Sequence, residues 1–271
     1  MSTPKITAIT ADNEIFSSEA YLNDKLTFNY IETSKQYENT QLYSDSKRVI
    51  ICRKYNHQNV WIWTDNELPN DMDFVIEIAK VVKDFGIAKP DFFTKPNIAQ
   101  AFSDMYAIVS NDLDYQIKDE FSLGAYKYVG SDVTVDDCLT VQKYHKKFFD
   151  TLLDFYNDLA DEFCWENNRA KKMVELCEKS STYVLLKNGD IISVCSISDK
   201  QGEFCSVRSV ATKKSERNKG YGTLVTSFAS ASISKKGKII MVYTNKGNKG
   251  ASNTFKKAGY QLVGDIHLIK S

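Results

Sequence analysis

Residues Ser209 to Thr223 read S-V-A-T-K-K-S-E-R-N-K-G-Y-G-T and concentrate the groups most suited to chemistry. Phe204 to Thr212, with Val207 and Val210 among small residues, predicts a strand. Leu224, Val225, Phe228 and Ala231 then recur at helical spacing. The segment between is therefore a strand-to-helix loop that opens a helix. The first amides of a helix have no intrahelical partner and carry the positive end of its dipole, so they bind anions. Gly220 and Gly222 let an anion approach the backbone and permit positive φ, while Arg217 and Lys219 add fixed charge. Such a loop would hold a phosphate or pyrophosphate. The plainer reading is a turn with solvated cations. A P-loop is excluded, because no Gly-x-x-x-x-Gly-Lys-Ser/Thr occurs, and Val225 stands where a dinucleotide fingerprint needs its third glycine.

Val210-Ala211-Thr212 followed by Arg217-x-x-Gly220-x-Gly222 resembles the acetyl-CoA pyrophosphate motif of the GCN5-related N-acetyltransferase (GNAT) family. The resemblance implies that Val210, Ala211 and Thr212 hold the pantetheine arm through their backbone. It also implies that Asn218, Lys219, Gly220, Tyr221, Gly222 and Thr223 surround the pyrophosphate, with Arg217 assisting. Asn248 and Ala251 match the start of the family's N-x-x-A-x-x-x-Tyr pattern, which places Asn248 at the cofactor arm. Two positions depart from it. The tyrosine that usually protonates the leaving thiolate is Phe255, and the carboxylate often carried by the preceding strand aligns near Ser206. Glu203, Tyr243 and Tyr221 are the substitutes on offer. The implied activity is transfer of an acyl group from acetyl-CoA, or a related acyl-CoA, to a small-molecule or protein amine by direct attack in a ternary complex. The alternative is a weak or inactive domain that binds acyl-CoA as a sensor or scaffold.

The whole chain bounds these readings. It has 271 residues, 42% of them hydrophobic, enough for one large or two ordinary domains. Lys plus Arg and Asp plus Glu number 35 each, so the formal charge is zero, which argues against general nucleic-acid or anionic-membrane binding. The six cysteines form no C-x-x-C pair, and the three histidines (57, 145, 267) are isolated, so neither a disulfide framework nor a metal site is expected. No apolar leader and no run of 18 apolar residues occurs, which gives the expectation of a cytoplasmic protein.

The elements that must position the loop follow from periodicity. Residues 122–129 alternate as a strand. A helix is expected from Thr134-Val135-Asp136-Asp137 through Leu139, Tyr144, Phe148, Leu152 and Phe155 to about Phe163, and a second over 167–178. Two strands flank Asn188-Gly189, a strong hairpin signal. The loop strand and its helix follow, then a strand over 239–243, a helix over 251–257 closed by Gly259, and a last strand over 260–269. This order resembles the GNAT fold across residues 122–271, an α+β (α/β) architecture with a mixed central sheet flanked by helices. Residues 1–121 read as an additional α+β lobe. Met1 to Asn13 is polar and expected to be a frayed or weakly held end, strands fall at 49–53 and 59–63, helices at 73–85 and after Pro96, and no phosphate loop occurs. This lobe is expected to be a degenerate GNAT-like half, with Trp61 and Trp63 serving packing.

Overall fold

The computed structural model describes residues 5–55, 57–132, 134, 138–162, 168–198 and 202–271. The chain divides into two compact units. The first takes residues up to Ala125 with Thr244–Asn248 and Val263–Ser271; the second takes Tyr126–Tyr243 and Lys249–Leu262.

In the first unit the strands are β1 (Thr7–Ala8), β2 (Thr40–Ser44), β3 (Val49–Lys54), β4 (Asn59–Thr64), β5 (Asp91–Thr94) and β6 (Gln116–Ile117). Helices α1 (Glu19–Asp24) and α2 (Asn29–Ser34) precede β2, α3 (Met72–Lys83) joins β4 to β5, and α4 (Pro96–Ser110) follows β5. β1 to β4 are antiparallel neighbours, while β4 and β5 run parallel from Asn59↔Asp91 to Ile62↔Thr94. One face buries Val49, Ile51, Val60 and Ile62 beneath Phe74, Ile78 and Val82 of α3 and Phe102 and Tyr106 of α4. On β4, Trp61 stacks between Tyr30 and Phe93 at 4.6 and 4.8 Å, and Trp63 donates to Asp24 at 2.9 Å. Both tryptophans are packing residues, at 4% and 0% exposure.

In the second unit β8 (Leu139–Lys143), β9 (Ser181–Lys187), β10 (Asp190–Ile197) and β11 (Phe204–Thr212) pair antiparallel in sequence order. Before them stands β7 (Leu123–Tyr128), whose last three residues belong to this unit. Helices α5 (Phe149–Glu162) and α6 (Arg169–Glu178) lie on one face, where Leu152, Phe155, Tyr156, Leu159, Val174 and Cys177 meet Val184, Ile191 and Val194. The other face carries α7 (Tyr221–Ser234), whose Leu224, Val225, Ala229 and Ile233 pack with Leu185, Cys195, Ile197 and Cys205. β12 (Ile239–Asn245) runs parallel to β11, then α8 (Lys249–Lys257) and β13 (Tyr260–Lys270) close the chain. Asn188 and Gly189 take φ values of 55° and 89°, as a tight hairpin turn of the mirror-image type requires. Each unit repeats one order: antiparallel strands, a helix, a parallel strand, a helix.

Two expectations are corrected. Residues 139–143 form β8, not the first turns of a helix. Leu-Thr-Val-Gln-Lys alternates with period two, and the ladder from Leu139↔Lys187 to Lys143↔Tyr183 uses it. The polar N-terminal end is also tied down, because Thr7 and Ala8 pair with Ser44 and Tyr43 while Ile6 is buried. The expected helix start at 135–137, the helix end at Phe163 and the helix start at Asn167 lie outside the described residues. Cys52, Cys177, Cys195 and Cys205 are buried cysteines outside any disulfide, and burial pushes Cys52 and Cys195 up to about 12. No described helix is long and apolar enough to cross a membrane.

Candidate active site at the splayed strand β11

The site is built on the way β11 leaves its neighbour. Its parallel ladder with β12 runs from Phe204 to Ser206, opposite Ile239 to Met241. On the other edge the pairing with β10 continues to Thr212. One residue is extra on the way: Ser196 faces Ser209 while Ile197 faces Val207, so Arg208 forms a bulge. A bulge bends its strand and increases the twist, a physical reason for β11 to part from β12 beyond Ser206. From Val207 on, no described residue of β12 pairs with β11.

The orientation of the freed backbone follows from its bonds. Ala211 O accepts from Ser193 Oγ at 2.9 Å, and Lys213 N donates to Ile192 O at 2.9 Å, so odd-numbered residues face β10. Alternation turns the backbone of Val210 and Thr212 to the open edge. Thr212 is further held by its hydroxyl, 2.8 Å from Ser193 Oγ.

After Thr212 the chain takes one 3-10 turn (Lys214–Glu216) and enters α7. Asn218 and Gly220 have φ values of 63° and 83°, and consecutive amides turned by such residues make a concave donor surface. Gly220 is the N-cap of α7, and no side chain caps the helix. The amides of Tyr221, Gly222 and Thr223 therefore face outward without the side-chain acceptor that usually satisfies them. Gly222 serves closeness. A Cβ there would sit 3.3 Å from Thr212 Oγ1, 3.7 Å from Val210 and 3.8 Å from Thr254, so its absence lets α7 start directly on β11.

Charge around the loop is organised in pairs. Arg217 donates from both guanidinium nitrogens to Glu162 at 2.6 and 2.7 Å, and from Nε to Thr212 O at 3.2 Å. Arg217 thus ties the end of β11 to α5. Its hydrogen bonds hold the Glu162 carboxyl below the usual range. Glu216 receives Lys219 at 3.0 Å and Lys187 at 3.4 Å, which lowers its own carboxyl and raises Lys187. Beside the loop lies a cavity of 480 Å³ lined by Asp158, Leu159, Glu162, Lys213, Lys214 and Ser215.

Substituting Glu162 tests the brace. The depressed carboxyl contributes stability that is present above its ordinary value of 4.5 and lost as pH falls through the lowered one. Glu162→Gln will melt below the wild type at neutral pH, and the gap will close under acid conditions. Melting curves across pH check this; a gap independent of pH would assign Glu162 no ionic role.

The structure brings together Val210, Ala211, Thr212, Arg217, Asn218, Lys219, Gly220, Tyr221, Gly222 and Thr223. Asn248 belongs to the other compact unit, just ahead of α8, where its amide donates to Asn245 O at 2.9 Å. Phe255 is a core residue of α8, 6% exposed and edge-to-face with Tyr260 at 5.5 Å. Glu203 is exposed at the start of β11, the end opposite Thr212. Tyr243 is half-buried on β12, and Tyr221 is half-buried with Lys187 5.7 Å from its ring. Sequence reading missed Glu162, Ser193, Glu216 and Lys187. No local signal marks Glu162, which lies 55 residues before its partner. Among the described residues no group of three His, Cys, Asp or Glu could hold a metal ion.

The first unit has a matching junction with opposite chemistry. Between β4 and α3 runs D-N-E-L-P-N-D, residues 65–71, and Asp71 caps α3 by accepting from Phe74 N at 3.2 Å. That helix start is already occupied by a carboxylate and would repel a phosphate.

Comparison with known proteins bears on the fold. Residues 194–267 match the family model of FR47-like proteins. A GNAT protein from Sphaerobacter thermophilus is similar in structure, with a TM-score of 0.59 at 9% identity, over 98% of this chain and 95% of that one. A GNAT-family acetyltransferase from Colwellia psychrerythraea gives 0.54 at 12% identity, over 98% and 99%. A tandem GNAT protein from the clavulanic acid biosynthesis pathway gives 0.52 at 8%, over 98% and 97%. No curated protein is similar enough in sequence to count as a relative. The chain has the GNAT fold over nearly its whole length, and the resemblance read from residues 210–223 is borne out.

Proposed function

We propose that this GNAT-fold chain is an acyl-CoA-dependent N-acyltransferase whose single cofactor site lies at β11 and the start of α7. The observation that carries the reading is the coincidence of two unmet backbone surfaces in one place. One is the edge of β11 that β12 leaves unpaired at Val210 and Thr212, where Thr212 O is engaged by Arg217 Nε; the other is the uncapped amides of residues 221–223 behind Asn218 and Gly220. An extended amide-bearing chain ending in a pyrophosphate fits both, and acetyl-CoA has that form. The edge would bind the arm and the helix start the pyrophosphate.

Acyl-CoA supplies an activated thioester. The amine nitrogen attacks its carbonyl carbon, the C–S bond breaks, the thiolate leaves, and the nitrogen loses one proton. The chain's contribution is orientation of the thioester and donation to the developing oxyanion from a backbone already fixed by β10. With Phe255 buried in the core, no tyrosine hydroxyl stands at the family's acid position, so this reading assigns no acid and rests the reaction on positioning. Positioning carries the reaction, and turnover is correspondingly slow, since proton transfer contributes about 10²–10⁴-fold where it operates. The same feature favours the second reading, an acyl-CoA sensor or scaffold. The acceptor is an amine, small or on a protein.

Calorimetry with acetyl-CoA, together with thiol release over a panel of amines, tests the reading. One molecule bound per chain is expected, because Asp71 closes the corresponding junction of the first unit. Binding without thiol release from any amine would leave the sensor standing; no binding would remove both.

A further inference from the structure

The outward faces of α5 and α6 carry opposite charge. α5 buries Leu152, Phe155, Tyr156 and Leu159. At 100° per residue its far side holds Asp150, Asp154, Asp158 and Asp161, all exposed, with Asp158 4.0 Å from Lys213 Nζ. Carboxylates four residues apart repel, so a row of them weakens the helix that carries it. α6 buries Ala170, Val174 and Cys177. Its far side presents Arg169, Lys172 and Lys179 around one acid, Glu175, and beside them Leu176 is 55% exposed. Arg169, Lys172, Met173, Glu175, Leu176 and Lys179 line a depression of 290 Å³. Both helices bury against the same strands, β9 and β10, so the two outward faces lie on one side of the sheet. That side therefore carries four negative charges along one helix and a net two positive along the next (three cations less Glu175).

A cationic partner would answer only α5, and an anionic one only α6. A second copy turned about a twofold axis between the helices answers both at once, since a twofold interface is self-complementary. The chain's formal charge of zero removes overall repulsion between copies. We propose that α5 and α6 form the face of a twofold homodimer. Each acidic row of α5 lies along the partner's basic row on α6, and Leu176 and Met173 pack near the axis.

Charge swapping tests this. One variant carries Asp150→Lys, Asp154→Lys and Asp161→Lys, leaving Asp158 among three lysines so that both helices are net cationic; the other carries Lys172→Glu and Lys179→Glu, making both anionic. Sedimentation velocity at about 0.1 M salt should find wild-type dimers, and raising the salt should weaken them as the screening length shortens. Each variant alone should dissociate at least tenfold more readily, while an equimolar mixture should recover a heterodimer. A monomeric wild type, a dimer indifferent to both swaps, or a mixture that stays monomeric would each overturn the proposal. All five positions are exposed. Should a swapped chain lose its helical circular dichroism, Asp154→Asn with Asp161→Asn and Lys172→Gln with Lys179→Gln replace the swaps. Weaker dimers of each neutralised chain are then required.

Discussion

Gly220→Val will lower affinity for acetyl-CoA by about a hundredfold while the protein remains folded. Gly220 holds φ at 83° as the N-cap of α7, a region where a β-branched residue is a genuine outlier. Holding valine there costs on the order of 1–3 kcal/mol. The loop can escape that cost by rotating the peptide, but rotation turns amides away from the pyrophosphate, and each hydrogen bond to a charged group contributes about 1.5–3 kcal/mol. The unliganded loop relieves the strain by rotating, so binding must either restore the strain or forgo amide bonds; each removes roughly 3 kcal/mol of affinity, and about 1.4 kcal/mol is tenfold. A Cβ at this position meets nothing within 4 Å, so packing is untouched and the effect belongs to the backbone. Gly222 gives the contrast. Gly222→Leu forces side-chain atoms against Thr212 and Val210, so it will lower the melting temperature as well as affinity. Calorimetry and melting curves on the two variants separate the cases. Unchanged affinity in Gly220→Val would remove the pyrophosphate from this loop.

Phe255→Ala will destabilise the second unit by about 3–5 kcal/mol, the range for deleting a buried aromatic ring. Its ring is 6% exposed, packs edge-to-face on Tyr260, and is the buried anchor of α8. Tyr260 is itself fixed by its hydroxyl, 2.6 Å from Ser230 Oγ of α7, so losing Phe255 leaves a cavity between α7 and α8. Phe255→Tyr asks a different question. It keeps the ring and adds a hydroxyl where the family resemblance places the acid for the leaving thiolate. If positioning alone carries acyl transfer, steady-state thiol release at saturating acetyl-CoA will change by less than tenfold. A larger gain would mean a missing acid limits the wild type, each tenfold being about 1.4 kcal/mol of barrier. Chemical denaturation gives the Ala result independently: a loss under 1 kcal/mol would show that the ring is not a core anchor.

Sequence alone determined the features whose chemistry is local. The turn at Asn188-Gly189, the end of α8 at Gly259 and the opening of α7 behind Gly220 each rest on a residue whose preferred φ is written in its own side chain. The cluster of amides and cations at residues 217–223, on which the proposed phosphate site rests, belongs here too, because groups a few residues apart must share one small volume. Trp61 and Trp63 were legible as packing for the same reason: they alternate with apolar residues on one short strand. Tertiary structure decided the rest. That Arg217 spends its fork on Glu162 depends on α5 being laid over β11, and no spacing records a pairing across 55 residues. β8 was lost in a helical reading because five residues with mixed exposure have too short a period to compete until β9 offers them a ladder. Ser206 marks where β11 leaves β12, and the bulge at Arg208 beside it is a mismatch between two strands. A mismatch has no existence in either strand alone, so the open edge that defines the site appears only when the sheet is assembled.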